Sequence, residues 1–155
     1  MASIRALMVT ETIMTTGSET IAAAAHLMRS NRVGALLVVE DGVLRGLLSE
    51  RDVLARVVAE KRDPARTRVG DVATREVVTV DVNAPLKAVL EVFREKKFRH
   101  LPVMEDGKPV GILSTRDLLD YLVEGLERYI DAAKYKSDLD AGVDPYDHLG
   151  GSYGR

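Results

Sequence analysis

The chain repeats itself, and that limits what it can fold into more than any other feature. An offset of 65 residues lays residues 4–54 over 69–119 without a gap, and 14 of the 51 aligned pairs are identical. Composition alone would give roughly four matches. Of the 14, 11 fall in the last 22 columns, where VGALLVVEDGVLRGLLSERDVL lies over FRHLPVMEDGKPVGILSTRDLL. Such a chain folds as two copies of one unit. Between them, Lys61 to Arg68 holds four basic residues and Pro64 and reads as an exposed linker.

Within each copy the apolar spacing places the elements. A short apolar stretch, Thr12 to Thr15 or Val77 to Val80, precedes a helix with Ile21, Ala24, Ala25, Leu27 and Met28, or Leu86, Val89, Leu90, Val92 and Phe93, at helical spacing. Asn83 and Pro85 mark the second copy's helix start, with Pro expected in the first turn. Two apolar runs then flank Glu-Asp-Gly at 40–42 and again at 105–107, a hairpin signal because Gly accepts positive φ. A second helix begins near Ser49 or Ser114. Each unit is therefore predicted to be β-α-β-β-α. A three-stranded sheet with helices on one face leaves the other face bare, and one copy of about 60 residues would be marginal alone. The predicted fold class is α+β, with two copies packed sheet to sheet about a pseudo-twofold axis.

Composition removes several function classes. Zero cysteines exclude a disulfide framework, thiolate metal sites and thiol catalysis. A net charge of −2 argues against bulk electrostatic binding of nucleic acid, and 5% aromatics without Trp argue against base-stacking platforms. Residues Met1 to Met8 lack the apolar run of a signal peptide, and no stretch approaches the roughly 18 apolar residues of a membrane span. A mature cytoplasmic protein away from membranes is expected.

The most faithfully kept feature is Gly-x-Leu-Ser-x-Arg-Asp: Gly46, Leu48, Ser49, Arg51, Asp52, and again Gly111, Leu113, Ser114, Arg116, Asp117. It lies where a strand runs into a helix, and helix N-termini favour anions such as phosphate. Ser adds a hydroxyl, Arg a cationic fork, and Asp two acceptors that suit a vicinal diol. The same residues also describe a capping box that needs no ligand. Retention of Arg in both copies weighs toward a ligand, since capping does not require it.

These motifs resemble a tandem pair of CBS motifs, also called a Bateman module, over residues 4 to about 125, as motif 1 at 4–60, linker 61–68 and motif 2 at 69–125. The resemblance implies a regulatory module, not an enzyme, that binds AMP, ADP or ATP, with NAD or S-adenosylmethionine as further ligands, in clefts between the paired motifs. It places the ribose-binding acid on Asp52 and Asp117, the hydroxyl on Ser49 and Ser114, and the phosphate-facing helix position on Arg51 and Arg116. It assigns adenine to Ile13, Met14, Ala35 and Leu36 in copy one and to Val78, Thr79, His100 and Leu101 in copy two. Copy two has Arg99 and His100 where copy one has Gly34 and Ala35, so its site is the better furnished for phosphate. The expectation is one strong site of Val78, Thr79, Arg99, His100, Leu101, Pro102, Ser114, Arg116 and Asp117. A weaker one is expected from Ile13, Met14, Gly34, Ala35, Leu36, Ser49, Arg51 and Asp52.

The remaining residues point to structure. His26 faces Glu91 in the repeat and reads as a surface or structural residue, and three scattered histidines offer no metal-ligand spacing. Asp138, Asp140, Asp144, Asp147 and His148 fail as an EF-hand, because Gly142 holds the fifth position and Leu149 stands where Glu is needed. Residues 126–155 are expected to hold the end of the last helix and then a flexible acidic tail. No catalytic set can be paired. Leu118, Leu119, Leu122, Val123 and Leu126, continuing to Tyr129 and Ile130, form an apolar stripe that outlasts the repeat. CBS pairs commonly join as twofold dimers through such helices, so a homodimer acting on a separate regulated protein is expected, with a ligand-free dimerisation or scaffold module as the alternative.

Overall fold

The computed structural model describes residues 4–142. They fall into two compact units, the first ending at Asp117 and the second beginning at Leu118. Copy one supplies β1 (Met14–Thr15), α1 (Ile21–Asn31), β2 (Ala35–Glu40), β3 (Val43–Ser49) and α2 (Glu50–Val53). Copy two supplies β4 (Val80–Asp81), α3 (Leu86–Lys96), β5 (His100–Glu105), β6 (Lys108–Ser114) and α4 (Thr115–Asp140). The β-α-β-β-α order predicted from the repeat is therefore present in both copies.

Each copy builds a three-stranded sheet, ordered β1-β2-β3 and β4-β5-β6. The first pair in each is parallel, joined by a crossover helix, and the second is an antiparallel hairpin. Asp41 and Gly42 turn one hairpin at φ 50° and 76°, and Asp106 and Gly107 turn the other at 49° and 76°. Two successive positive φ values match the right-handed twist of paired strands, which is why Glu-Asp-Gly recurs.

Alternation along β2 divides its buried residues between two faces. Leu36 and Val38 meet Ile21, Ala24 and Met28 of α1, together with Leu48, Val57, Val69 and Val72. Ala35 and Leu37 are buried too, on the opposite face. Burial on both faces explains the unbroken apolar run ALLVV.

The linker is exposed at seven of its eight residues, as expected, and differs only in that its carbonyls are engaged. Its main chain caps α1: Ile21 N–H donates to Thr67 O at 2.9 Å and Ala22 N–H to Pro64 O at 3.0 Å. Thr20 Oγ1 accepts from Ala23 N–H at 3.2 Å, and Ala24 N–H reaches Thr20 O at 3.0 Å. The N–H groups of Ile21, Ala22 and Ala23, which have no acceptor within the helix, are thus all satisfied, and Thr67 is buried by the same contact. Pro85 also differs. It occupies the N-cap, at φ −67° and ψ 139°, so the helix starts one residue later than expected, at Leu86. Copy one's last helix widens after Val53 into a π-helical turn, Leu54–Val58, with Ala59 N–H donating to Leu54 O five residues back.

The copies are tied crosswise. Val9, ahead of copy one, forms an antiparallel bridge with Ile112 of β6, and Thr74, ahead of copy two, forms one with Leu47 of β3. Each lead-in covers the open edge of the other copy's sheet. The strands admit them at the motif glycines: a Cβ on Gly46 would stand 3.0 Å from Thr74 O, and one on Gly111 would stand 2.6 Å from Met8 Sδ.

In the second unit α4 continues to Asp140 and closes at Gly142, whose φ is 71°. Residues 126–140, expected to hold the helix end and then a flexible tail, are therefore helical. Asp144, Asp147, His148 and Leu149 lie outside the described residues. Among the described residues no helix is long and apolar enough to cross a membrane.

Gly46→Val should lower the free energy of urea unfolding by about 1–3 kcal/mol, because the obstructing atom is a main-chain carbonyl. Gly125→Ala, where nothing lies within 4 Å of an added Cβ, should raise it by about 0.5–1 kcal/mol. An unchanged midpoint for Gly46→Val would overturn the crossed-edge account.

Candidate functional site

The repeated Ser-x-Arg-Asp segments fold as helix caps in both copies. Ser49 N–H and Oγ both donate to Asp52 Oδ2, at 2.9 and 2.7 Å, and Asp52 N–H returns to Ser49 Oγ at 3.2 Å. In copy two Ser114 N–H and Oγ donate to Asp117 Oδ2 at 3.0 and 2.5 Å, and Asp117 N–H returns at 3.2 Å. The serine hydroxyls are thereby engaged as both donor and acceptor. The first helical amides are tied as well, Glu50 N–H to Gly34 O and Thr115 N–H to Arg99 O, each at 3.0 Å.

What capping leaves over differs between the copies. Asp52 Oδ1 stands 3.7 Å from Arg56 Nη2, and Arg56 also donates to Val72 O. The repeat puts Tyr121 in the column of Arg56. Asp117 Oδ1 therefore has no hydrogen bond or ion pair among the described residues and keeps its lone pairs for another partner.

Two clefts flank these caps. The larger, about 630 Å³, contains Ser114, Arg116 and Asp117 together with Ile13, Gly34 and Ala35. The smaller, about 260 Å³, contains Ser49, Arg51 and Asp52 together with Val78. Arg99 and His100 line both. The clefts do not follow the copies, so neither Asp faces the first strand of its own repeat, as the resemblance implies. The crossed lead-ins are the reason. The chain after Val9 runs past the start of α4, and the chain after Thr74 runs past the start of α2, so each cap faces the other copy's first strand.

Leu36 and Leu101 are fully buried and Pro102 nearly so, and they line neither cleft. They are interior residues of central strands, enclosed by neighbouring strands and helices. Met14 and Thr79 also line neither cleft. Pro102 has a different effect. In copy one Leu37 N–H donates to Ile13 O at 3.2 Å; Pro102, in the same column, has no N–H. Strand pairing in copy two accordingly begins one column later, at Val80 instead of Thr79.

Sequence reasoning missed several charged residues. Glu11, Arg29, Arg32 and Glu50 join Arg99, Arg116 and Asp117 around the larger cleft. Glu76 and Lys97 join Arg51, Asp52 and Arg99 around the smaller. One signal was available: Glu11 and Glu76 are identical partners in the 65-residue repeat, outside its best-matched columns. A weaker one was Arg32, which the repeat pairs with Lys97, both basic residues in the left-handed position that ends the crossover helix, at φ 55° and 54°.

His100 sits against copy one where side chains are smallest. A Cβ on Gly34 would lie 3.4 Å from the imidazole Cε1 and Nε2 and 3.3 Å from Glu50 Oε2. Burial lowers the His100 pKa below 6.5, and the Arg99 charge lowers it further, against the opposing pull of Glu50 and Asp117. His26 is exposed, and among the described residues its imidazole reaches Ser30 Oγ alone, at 3.4 Å. Among the described residues no group of three or more His, Cys, Asp or Glu could hold a metal ion.

The sequence profile of the CBS domain matches residues 4–59 and 69–124, the two repeat copies. The chain belongs to the CBS-domain family. CBS domain-containing protein YhcV of Bacillus subtilis is 36% identical over 118 residues, covering 76% of this chain and 84% of that protein. Hypoxic response protein 1 of Mycobacterium tuberculosis is 35% identical over 107 residues, covering 68% and 75%. Among solved structures, CBS domain protein PAE2072 from Pyrobaculum aerophilum, complexed with AMP, aligns with a TM-score of 0.70 at 28% identity, over 76% of this chain and 90% of that one. The fold of this CBS pair is thus the α+β arrangement of its relatives.

A histidine with its pKa held down stabilises the CBS pair while neutral. That stability is complete above pH 6.5 and is lost as the pH falls through the lowered folded value. His100→Asn should flatten the fall in urea stability between about pH 7.5 and 5.5. An identical slope in both proteins would overturn this assignment.

Proposed function

We propose that this CBS pair is a regulatory module that binds an adenine nucleotide, in its larger cleft first, and passes occupancy to a separate protein through the geometry of a homodimer. The observation that carries this reading is Asp117 Oδ1, unengaged by capping, in a cleft of about 630 Å³ that also holds four arginines. Small-molecule sites span roughly 300–1,000 Å³. Asp117 offers acceptors for the ribose diol, Arg29, Arg32, Arg99 and Arg116 offer forked donors for phosphate, and Ile13, Val33 and Ile112 supply apolar wall for adenine. The AMP carried by the Pyrobaculum relative supports the same ligand class. The smaller cleft, at about 260 Å³ and with Asp52 drawn toward Arg56, is the weaker site.

Signalling follows from linkage: a ligand shifts a conformational equilibrium only by its differential affinity for the two states. The dimer surface in this reading is the stripe on α4, where Leu119, Leu122, Val123, Leu126, Tyr129 and Ile130 are between 46% and 72% exposed. Sedimentation at micromolar concentration should give a dimer, and Leu126→Glu should convert it to monomer. A wild-type monomer would remove dimer geometry from the reading.

Calorimetry with AMP, ADP, ATP and NAD on wild type and Asp117→Ala tests the ligand. Loss of the diol contact should weaken binding at least about tenfold, a change of 1.4 kcal/mol. Equal affinity would remove Asp117 from the site. A second reading, a ligand-free dimerisation module, is favoured by the closed capping boxes, and absence of heat with all four nucleotides would select it.

A further inference from the structure

The two clefts share a wall, and the shared residue decides the charge of both. Four arginines face three carboxylates around the larger cleft, and two basic residues with Arg99 face two carboxylates around the smaller. The surplus positive charge of each cleft is thus the same residue. Without Arg99 both would be neutral.

Arg99 is placed to serve either side. Its main chain is held by the bond from Thr115 N–H to Arg99 O at 3.0 Å. Its side chain is exposed and makes no hydrogen bond or ion pair among the described residues, although a guanidinium carries five donors. The copy-one residue in its column is Gly34, so the pseudo-twofold supplies no second cation.

We propose that the two clefts compete for Arg99, so that a phosphate-bearing ligand in the larger cleft weakens binding in the smaller one. This rests on the nucleotide-binding reading above and assigns its regulation. One planar fork cannot grip phosphates in two clefts together. Once the larger cleft holds an anion, the smaller loses its surplus charge and also faces the first ligand's negative charge. By linkage the antagonism is reciprocal, and couplings of this kind span roughly 5–150-fold. At low occupancy the protein then reports through one cleft, and the smaller fills only at much higher nucleotide concentration.

The test is calorimetry with AMP and with ATP on wild type, Asp117→Asn, Arg99→Gln and the double variant. Asn keeps a carbonyl for the cap while losing the carboxylate, and circular dichroism melts verify folding. Wild type should bind one equivalent tightly and a second at least about fivefold more weakly. Asp117→Asn, its larger-cleft affinity lowered at least about tenfold, should bind in the smaller cleft at least about fivefold more tightly than that second wild-type step. In the Arg99→Gln background only the repulsion between the two ligands remains, so disabling the larger cleft should change smaller-cleft affinity by less than about fivefold. If smaller-cleft affinity in wild type equals that in Asp117→Asn, or if Asp117→Asn binds nothing while wild type binds, the competition is overturned and the nucleotide reading survives. Absence of binding by wild type would overturn both.

Discussion

Two short antiparallel contacts, Val9 with Ile112 and Leu47 with Thr74, set the relation between the repeats on which both clefts depend. A three-stranded sheet ends in a strand with unpaired amides and carbonyls, a template for unwanted pairing. Each copy here closes the other's edge with the chain that leads into its own first strand. The approach is close enough to favour glycine at the crossing, as at Gly46 and Gly111. The same chain then passes the N-cap of the other copy's last helix. Neither repeat can build a cleft alone, because each cap needs the other copy's lead-in to form the facing wall.

A pseudo-twofold arrangement also explains why the clefts are unequal. The two copies meet near the axis, where space taken by a residue of one is denied to the other. His100 occupies room left by Gly34, so the bulky polar residue can appear in only one copy. Two further departures add to the difference. Arg56 draws on Asp52 while Tyr121 leaves Asp117 alone. Pro102 also breaks a strand bond that Leu37 makes. Duplication supplied two frames, and single substitutions gave each a different chemistry.

The helix termini show how local and distant contacts divide the same task. The caps at Ser49 and Ser114 are built from residues three apart, and their recurrence in the sequence was enough to identify them. The cap of α1 is mostly not local. Thr20 supplies one acceptor oxygen from its side chain, but two more come from Pro64 and Thr67 in the linker. A run of basic residues around a proline reads as solvated chain, and nothing in its composition reveals that its carbonyls are engaged. Past the repeat the apolar stripe to Tyr129 and Ile130 marks the helix, and α4 runs on through the more polar residues to Asp140.

The sequence by itself determined the duplication, the β-α-β-β-α order of each copy, the hairpin turns and the capping boxes. Each of these rests on neighbours a few residues apart, or on identity at a fixed offset. Only the tertiary structure decided which half of one copy faces which half of the other. It also decided that Arg99 and His100 border both clefts, and that Asp117 keeps an oxygen which Asp52 offers to Arg56. Those outcomes depend on main-chain pairing between segments some 27 to 103 residues apart, and a backbone contact of that kind leaves only a glycine in the sequence to mark where it passes.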